Sequence, residues 1–62
     1  MKTIIKLTNS EHQEILIGVA QIIRIEHLKT RGITKIESVG AMITTSYVLQ
    51  TVEEIYKQIN NN

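Results

Sequence analysis

The sequence predicts a mainly β chain: a small antiparallel sheet of about five short strands followed by one C-terminal α-helix. Three observations lead there. Twelve Ile, four Val and seven Thr are β-branched and Pro is absent, so strand formers abound and nothing obliges a sheet ladder to break. Period-two runs recur, each closed by a short polar or Gly-containing stretch. Near the end the period changes, and Val52, Ile55, Tyr56 and Ile59 take the i, i+3, i+4, i+7 spacing of one helical face.

Thr3 to Thr8 alternates Thr3, Ile5 and Leu7 against Ile4, Lys6 and Thr8, which is the first strand. Asn9 to Gln13 is polar and short enough to close a hairpin, with Asn and Ser able to bond their own backbone. The second strand is Glu14 to Ile17, and Gly18 marks a bulge or a close backbone approach before Val19. Ile22 to Leu28 is the third, with Ile23, Ile25 and His27 expected inward. Lys29-Thr30-Arg31-Gly32 makes a second hairpin whose tip presents cations. In the fourth strand, Ile33 to Val39, two faces compete: Ile33 and Val39 lie with Lys35 and Glu37, while Ile36 lies with Thr34 and Ser38. An edge or a two-sided position would explain this. Ser38-Val39-Gly40 turns the chain into a fifth strand, Ala41 to Val48.

The helix starts at Thr51, which with Glu54 three residues on forms a capping box. Val52, Ile55, Tyr56 and Ile59 are its packing stripe, and Ile55 and Ile59 are expected on the sheet with Glu53 and Lys57 in water. A helix this short is unstable alone, so the sheet, or a neighbouring copy, must supply its surface. Residues 1–59 read as one small domain and 60–62, all Asn, as a disordered tail.

Sixty-two residues allow one core, and a chain of this size often needs a disulfide, a metal or oligomerisation to be stable. Cys is absent and the two histidines, His12 and His27, are isolated, so neither a disulfide nor a structural zinc site is expected. Self-association remains. A homo-oligomer joined through sheet edges or the C-terminal helix is the expected form, with a protein partner as a further option. Two tyrosines and a net charge of +1 provide little for base stacking or for strong attraction to nucleic acid or membrane. No apolar run suggests a signal peptide or a membrane span, and a cytoplasmic location is expected.

No catalytic constellation emerges, and no cofactor is implied. Ser10, Ser38 or Ser46 with His12 or His27 share no spacing that would link nucleophile to base, and there is no Asp. Glu53 and Glu54 sit where negative charge complements a helix dipole. Lys29, Arg31 and Lys35 form the one charged cluster with a binding option: cations at a hairpin tip that contact phosphate, repeated around an oligomer. Lys6 and Arg24 form a second basic pair if their strands are neighbours.

Two families share this order of residues. Ile5-Lys6-Leu7-Thr8, Glu14-Ile15-Leu16-Ile17, Ile22 with Ile25-Glu26, Thr34-Lys35-Ile36, Gly40 before Ile43, and Val52-Glu53-Glu54-Ile55 resemble the FlbD family of small flagellar and swarming-motility proteins over nearly the whole chain. Gly18 stands where that family tends to have Asn, and Thr51 where it tends to have Ser. The resemblance implies a shape and a motility role without a catalytic motif. Leu7-Thr8, Glu14 with Leu16-Ile17-Gly18, and Glu53-Glu54-Ile55-Tyr56 are similar to the CsrA family of dimeric RNA-binding regulators. Asn9, Ser10 and Val52 stand where that family has its RNA-binding arginines, so what is shared is the layout. The expectation is therefore a non-enzymatic homo-oligomeric interaction or regulatory module. The alternative is an oligomer that binds RNA or a small phosphorylated nucleotide through Lys29, Arg31 and Lys35 near a subunit interface.

Overall fold

The computed structural model describes residues 2–61, and Met1 and Asn62 lie outside the described residues. Five strands and a helix follow in order: β1 (Ile4–Thr8), β2 (Glu14–Gly18), β3 (Ile22–Leu28), β4 (Ile33–Val39), β5 (Ile43–Val48) and α1 (Val52–Asn60), with a 3-10 turn over Val19–Gln21. All pairings are antiparallel, in a two-stranded sheet, β1-β2, and a three-stranded sheet, β3-β4-β5. The fifth strand starts at Ile43 rather than Ala41, because Gly40, Ala41 and Met42 form the turn that Gly40 N–H closes on the Met42 carbonyl at 3.1 Å.

Two turns set the registers. Asn9 folds the first hairpin, its Oδ1 accepting from the backbone N–H of Glu11 at 3.0 Å and of Gln13 at 2.9 Å. His12 then adopts φ 65°, a left-handed conformation that costs a residue with a Cβ about 1–2 kcal/mol. In the second hairpin the Leu28 carbonyl accepts from Arg31 and Gly32, and Gly32, also at φ 65°, takes that conformation without penalty. The resulting β1-β2 register pairs Ile5 with Ile17 and Leu7 with Ile15, which puts four aliphatic side chains on one face.

Two expectations are corrected and one open alternative is decided. The bulge lies between Ile22 and Arg24 on β3, not at Gly18, which ends β2 in ordinary extended geometry. Nor is Gly18 a close backbone approach: what a Cβ there would meet is the end of a side chain, Gln21 Oε1 at 2.9 Å. Because the bulge reverses the alternation, Ile22 packs on the core while Ile23, expected inward, is 55% exposed. Of the two positions that β4 allowed, an edge or a two-sided one, the strand takes the second: it is central, with Thr34 and Ile36 buried on its inner face and Lys35 and Glu37 on its outer face.

Ile5, Leu7, Ile17, Ile36, Val48 and Ile55 form the core, drawn from both sheets and the helix. The sheets meet at the end of β1, where Asn9 bridges Val48, Ser10 N–H donates to the Tyr47 carbonyl and Leu49 N–H donates to the Thr8 carbonyl. Gln50 clips this junction. Its Oε1 accepts from Thr8 N–H at 2.9 Å, its Nε2 donates to Thr8 Oγ1 at 3.3 Å, and its carbonyl accepts from the Thr34 hydroxyl at 2.7 Å. Thr34 is thereby buried with its polar atom satisfied.

The helix lies against β1 and β3. Its capping box is formed: Glu54 N–H donates to Thr51 Oγ1 at 3.0 Å, and Thr51 N–H donates to Glu54 Oε1 at 2.9 Å. Lys2 N–H donates to the Ile59 carbonyl at 3.1 Å and Gln58 Nε2 to the Lys6 carbonyl at 3.2 Å, so the helix also closes the side of β1 that faces away from β2. The helix runs one residue past Ile59, and the Asn60 side chain donates to the Tyr56 carbonyl at 3.0 Å. The Asn stretch therefore begins inside the helix, and Asn61 is its cap.

Candidate functional site

The four residues read as the helix-packing stripe divide. Ile55 is fully buried and Ile59 half-buried against the core, with Glu53 and Lys57 in solvent. Val52 and Tyr56, expected to pack with them, are instead 37% and 66% exposed. Helix geometry gives the reason. Successive residues are about 100° apart, so Val52 and Tyr56 lie roughly 60–100° around the axis from Ile55. The arc that meets the sheets is centred near Ile55 and takes in Gln58, whose side chain is drawn in by the Lys6 carbonyl. Half of the apolar stripe is left uncovered.

That uncovered flank borders β3. His27, Thr51, Val52, Glu53 and Tyr56 line a shallow, largely apolar depression where the start of the helix meets the end of the strand. His27 pairs with Thr34 in register and so points to the inner side, but it is exposed, because the helix stops short of covering this end of the sheet. Strand β3 has a partner, β4, along one side only. Its first half is irregular at the bulge, whereas Arg24 to Leu28 is an unbroken ladder beside the depression.

A second cluster lies on the outer face of the three-stranded sheet. Lys35 pairs with Glu26 on one side and Tyr47 on the other, so the three side chains form a row across the strands. Arg31, coming off the β3-β4 turn, sets its guanidinium carbon 4.9 Å from the centre of the Tyr47 ring, a cation–π contact. Two of the three cations singled out in the sequence, Arg31 and Lys35, thus converge on Tyr47. Lys29 is exposed in the same turn. Tyr47 itself was legible only as a strand residue, since the register that seats it beside Lys35 is not visible from spacing.

Two ion pairs lie elsewhere on the surface. Arg24 Nη2 lies 3.5 Å from Glu26 Oε2, and Lys6 Nζ 3.6 Å from Glu14 Oε2, both at exposed positions. Lys6 and Arg24 belong to different sheets and form no joint patch. Ser10 and His12 share an exposed turn, Ser38 and Ser46 stand on β4 and β5, and among the described residues there is no group of three His, Cys, Asp or Glu able to hold a metal. Nor is any described helix long and apolar enough to cross a membrane.

No family model, curated protein or solved structure matches this chain. Its chemistry is to be read from the two clusters themselves.

Proposed function

We propose that the chain is a non-enzymatic interaction module that works as a homo-oligomer, with a second copy seated on the uncovered helix flank and the adjoining β3 edge. The observation that carries this reading is the exposure of Val52 and Tyr56 beside His27 on a helix whose other apolar residues, Ile55 and Ile59, pack on the core. Two apolar side chains held rigidly next to an unpaired strand provide both a contact surface and a ladder to extend. Size supports the same reading. A chain with six buried core side chains has little stability of its own, and association would add to it.

Pairing between copies would use the regular half of β3, where the backbone groups are in register, rather than the bulged half. The resemblance to small regulatory and motility proteins agrees with a module that acts by binding. Sedimentation velocity across the micromolar range tests the proposal, together with Tyr56→Glu, which places a charge on the flank without touching the core. Association by the native chain, lost in Tyr56→Glu with the far-ultraviolet spectrum unchanged, is the expected result. A native chain that stays monomeric, or a Tyr56→Glu variant that associates as tightly, overturns it.

A further inference from the structure

The outer-face cluster lies away from the helix flank and rests on different residues. We infer that the Arg31–Tyr47 stack, with Lys35 and Lys29, binds a nucleotide unit: the base lies on the open face of the guanidinium, and the phosphate is held by the two ammonium groups.

Three features support this chemistry. First, the planar group of Arg31, exposed at the turn, has the Tyr47 ring beneath it at 4.9 Å. Tyr47 is itself held half-buried between Lys35 in register and the backbone bond from Ser10 to its carbonyl. A guanidinium plane backed by an aromatic ring is a ready platform, since unstacked bases lie on arginine planes as they do on aromatic rings. Part of the ordering cost has already been met in the free protein.

Second, the cluster keeps its positive charge. Glu26, in the row with Lys35, is engaged by Arg24 at 3.5 Å on its own strand, and Glu37, two residues along β4 on the same outer face, stands opposite Arg24 in register. Among the described residues no ion pair involves Lys29, Arg31 or Lys35. Third, the geometry separates the two functions of the ligand. Arg31 reaches the Tyr47 ring from the turn while Lys35 stands beside Tyr47 in register, so a flat group over Arg31 lies next to the strand position of Lys35, with Lys29 exposed in the same turn. An acidic peptide would satisfy the charges but leave the guanidinium plane without a stacking partner; a nucleotide uses both.

The source of the nucleotide, free or within a single strand, is separated by the choice of probe. Binding is measured by fluorescence anisotropy for a labelled single-stranded oligonucleotide and its abasic counterpart, and by calorimetry for a mononucleotide and for inorganic phosphate. Two or three cations on phosphate predict a fall in oligonucleotide affinity of roughly 7- to 18-fold between 50 and 200 mM salt, from a slope of about −0.7 per phosphate contact. Arg31→Lys keeps the charge and removes the plane, and is expected to lose about fivefold or more for base-bearing probes, the lower bound of one stacked base, while binding of phosphate is unchanged. Lys35→Ala should instead weaken all the probes and flatten the salt dependence.

Tight mononucleotide binding equal to that of the oligonucleotide would identify the free form as ligand; stronger binding of the oligonucleotide would identify the strand. The inference fails if no base-bearing probe binds in a salt-sensitive way, or if the abasic strand binds as well as the base-bearing one. It fails equally if Arg31→Lys, folded by circular dichroism, is indistinguishable from the native chain. None of these outcomes depends on the oligomeric state.

Discussion

Replacing Ile55 and Tyr56 one at a time should separate what the helix does for the fold from what it offers to a partner. The two residues are neighbours in sequence, yet one is fully buried and the other is 66% exposed. Truncating a buried Ile to Ala costs about 2–5 kcal/mol, from lost transfer energy plus the cavity left behind. A core of this size seldom supplies more than roughly 3–5 kcal/mol, so Ile55→Ala should remove half or more of the stability. The nine-residue helix has no independent means of persisting once its anchor is gone.

With a urea m-value near about 1 kcal/mol per molar, the midpoint should fall by about 2 M or more, and Ile55→Val should give an intermediate fall from its cost of about 0.5–1.5 kcal/mol. Tyr56→Ala should stay within about 0.5 kcal/mol at high dilution, because an exposed side chain has little packing to lose. Urea titrations followed by far-ultraviolet circular dichroism, at a dilute and a concentrated protein stock, provide the comparison. If Ile55→Ala moves the midpoint by less than about 0.5 M, the helix is not anchored where the structure puts it. Equal destabilisation by the two substitutions in dilute solution would refute the distinction between an anchoring and an exposed half of the stripe.

Three further outcomes follow from the turns and the junction. His12→Asn should stabilise the chain by about 0.5–1 kcal/mol in thermal or urea unfolding, since Asn tolerates the left-handed backbone that His12 adopts at φ 65°. Gln50→Ala removes both side-chain hydrogen bonds to Thr8 and should cost about 1–3 kcal/mol, with faster amide exchange at Thr8 as the local signature. Thr51→Ala should cost about 1 kcal/mol, because the Glu54 N–H then loses its partner, whereas Thr51→Ser should be close to neutral.

Most of the architecture was readable because its signals are local. Alternation placed the strands, Gly32 and Asn9 placed two turns, and Thr51 with Glu54 placed the start of the helix to within a residue. What escaped depends on contacts between distant residues. A bulge at Ile23 leaves no mark in an Ile-rich run, since Ile22, Ile23 and Ile25 look alike whichever way they point. Two sheets rather than one could not be inferred either, because the junction is made by one bridge and by Gln50, a residue whose spacing is unremarkable. The basic cluster was half legible: its cations were evident at the hairpin tip, but Tyr47 joins them only through the β4-β5 register. For the helix, spacing gives the stripe's width but not its rotation, which burial of Ile55 in the core sets so that Gln58 meets the Lys6 carbonyl and Val52 and Tyr56 turn outward.

The hydrogen bonds from Lys2 to Ile59 and from Gln58 to Lys6 have a consequence for synthesis. The first strand of the domain is completed by a helix that is made only after all five strands. At about 5–20 residues per second, extending the chain from Gly18 to Ile59 takes roughly 2–8 s, far longer than a hairpin needs to form. Throughout that interval the β1-β2 hairpin carries Ile5, Leu7, Ile15 and Ile17 without the lid that covers them in the finished protein. Closure of the domain thus waits for its helix to emerge, and nascent copies on one message would present uncapped hairpins to each other before that.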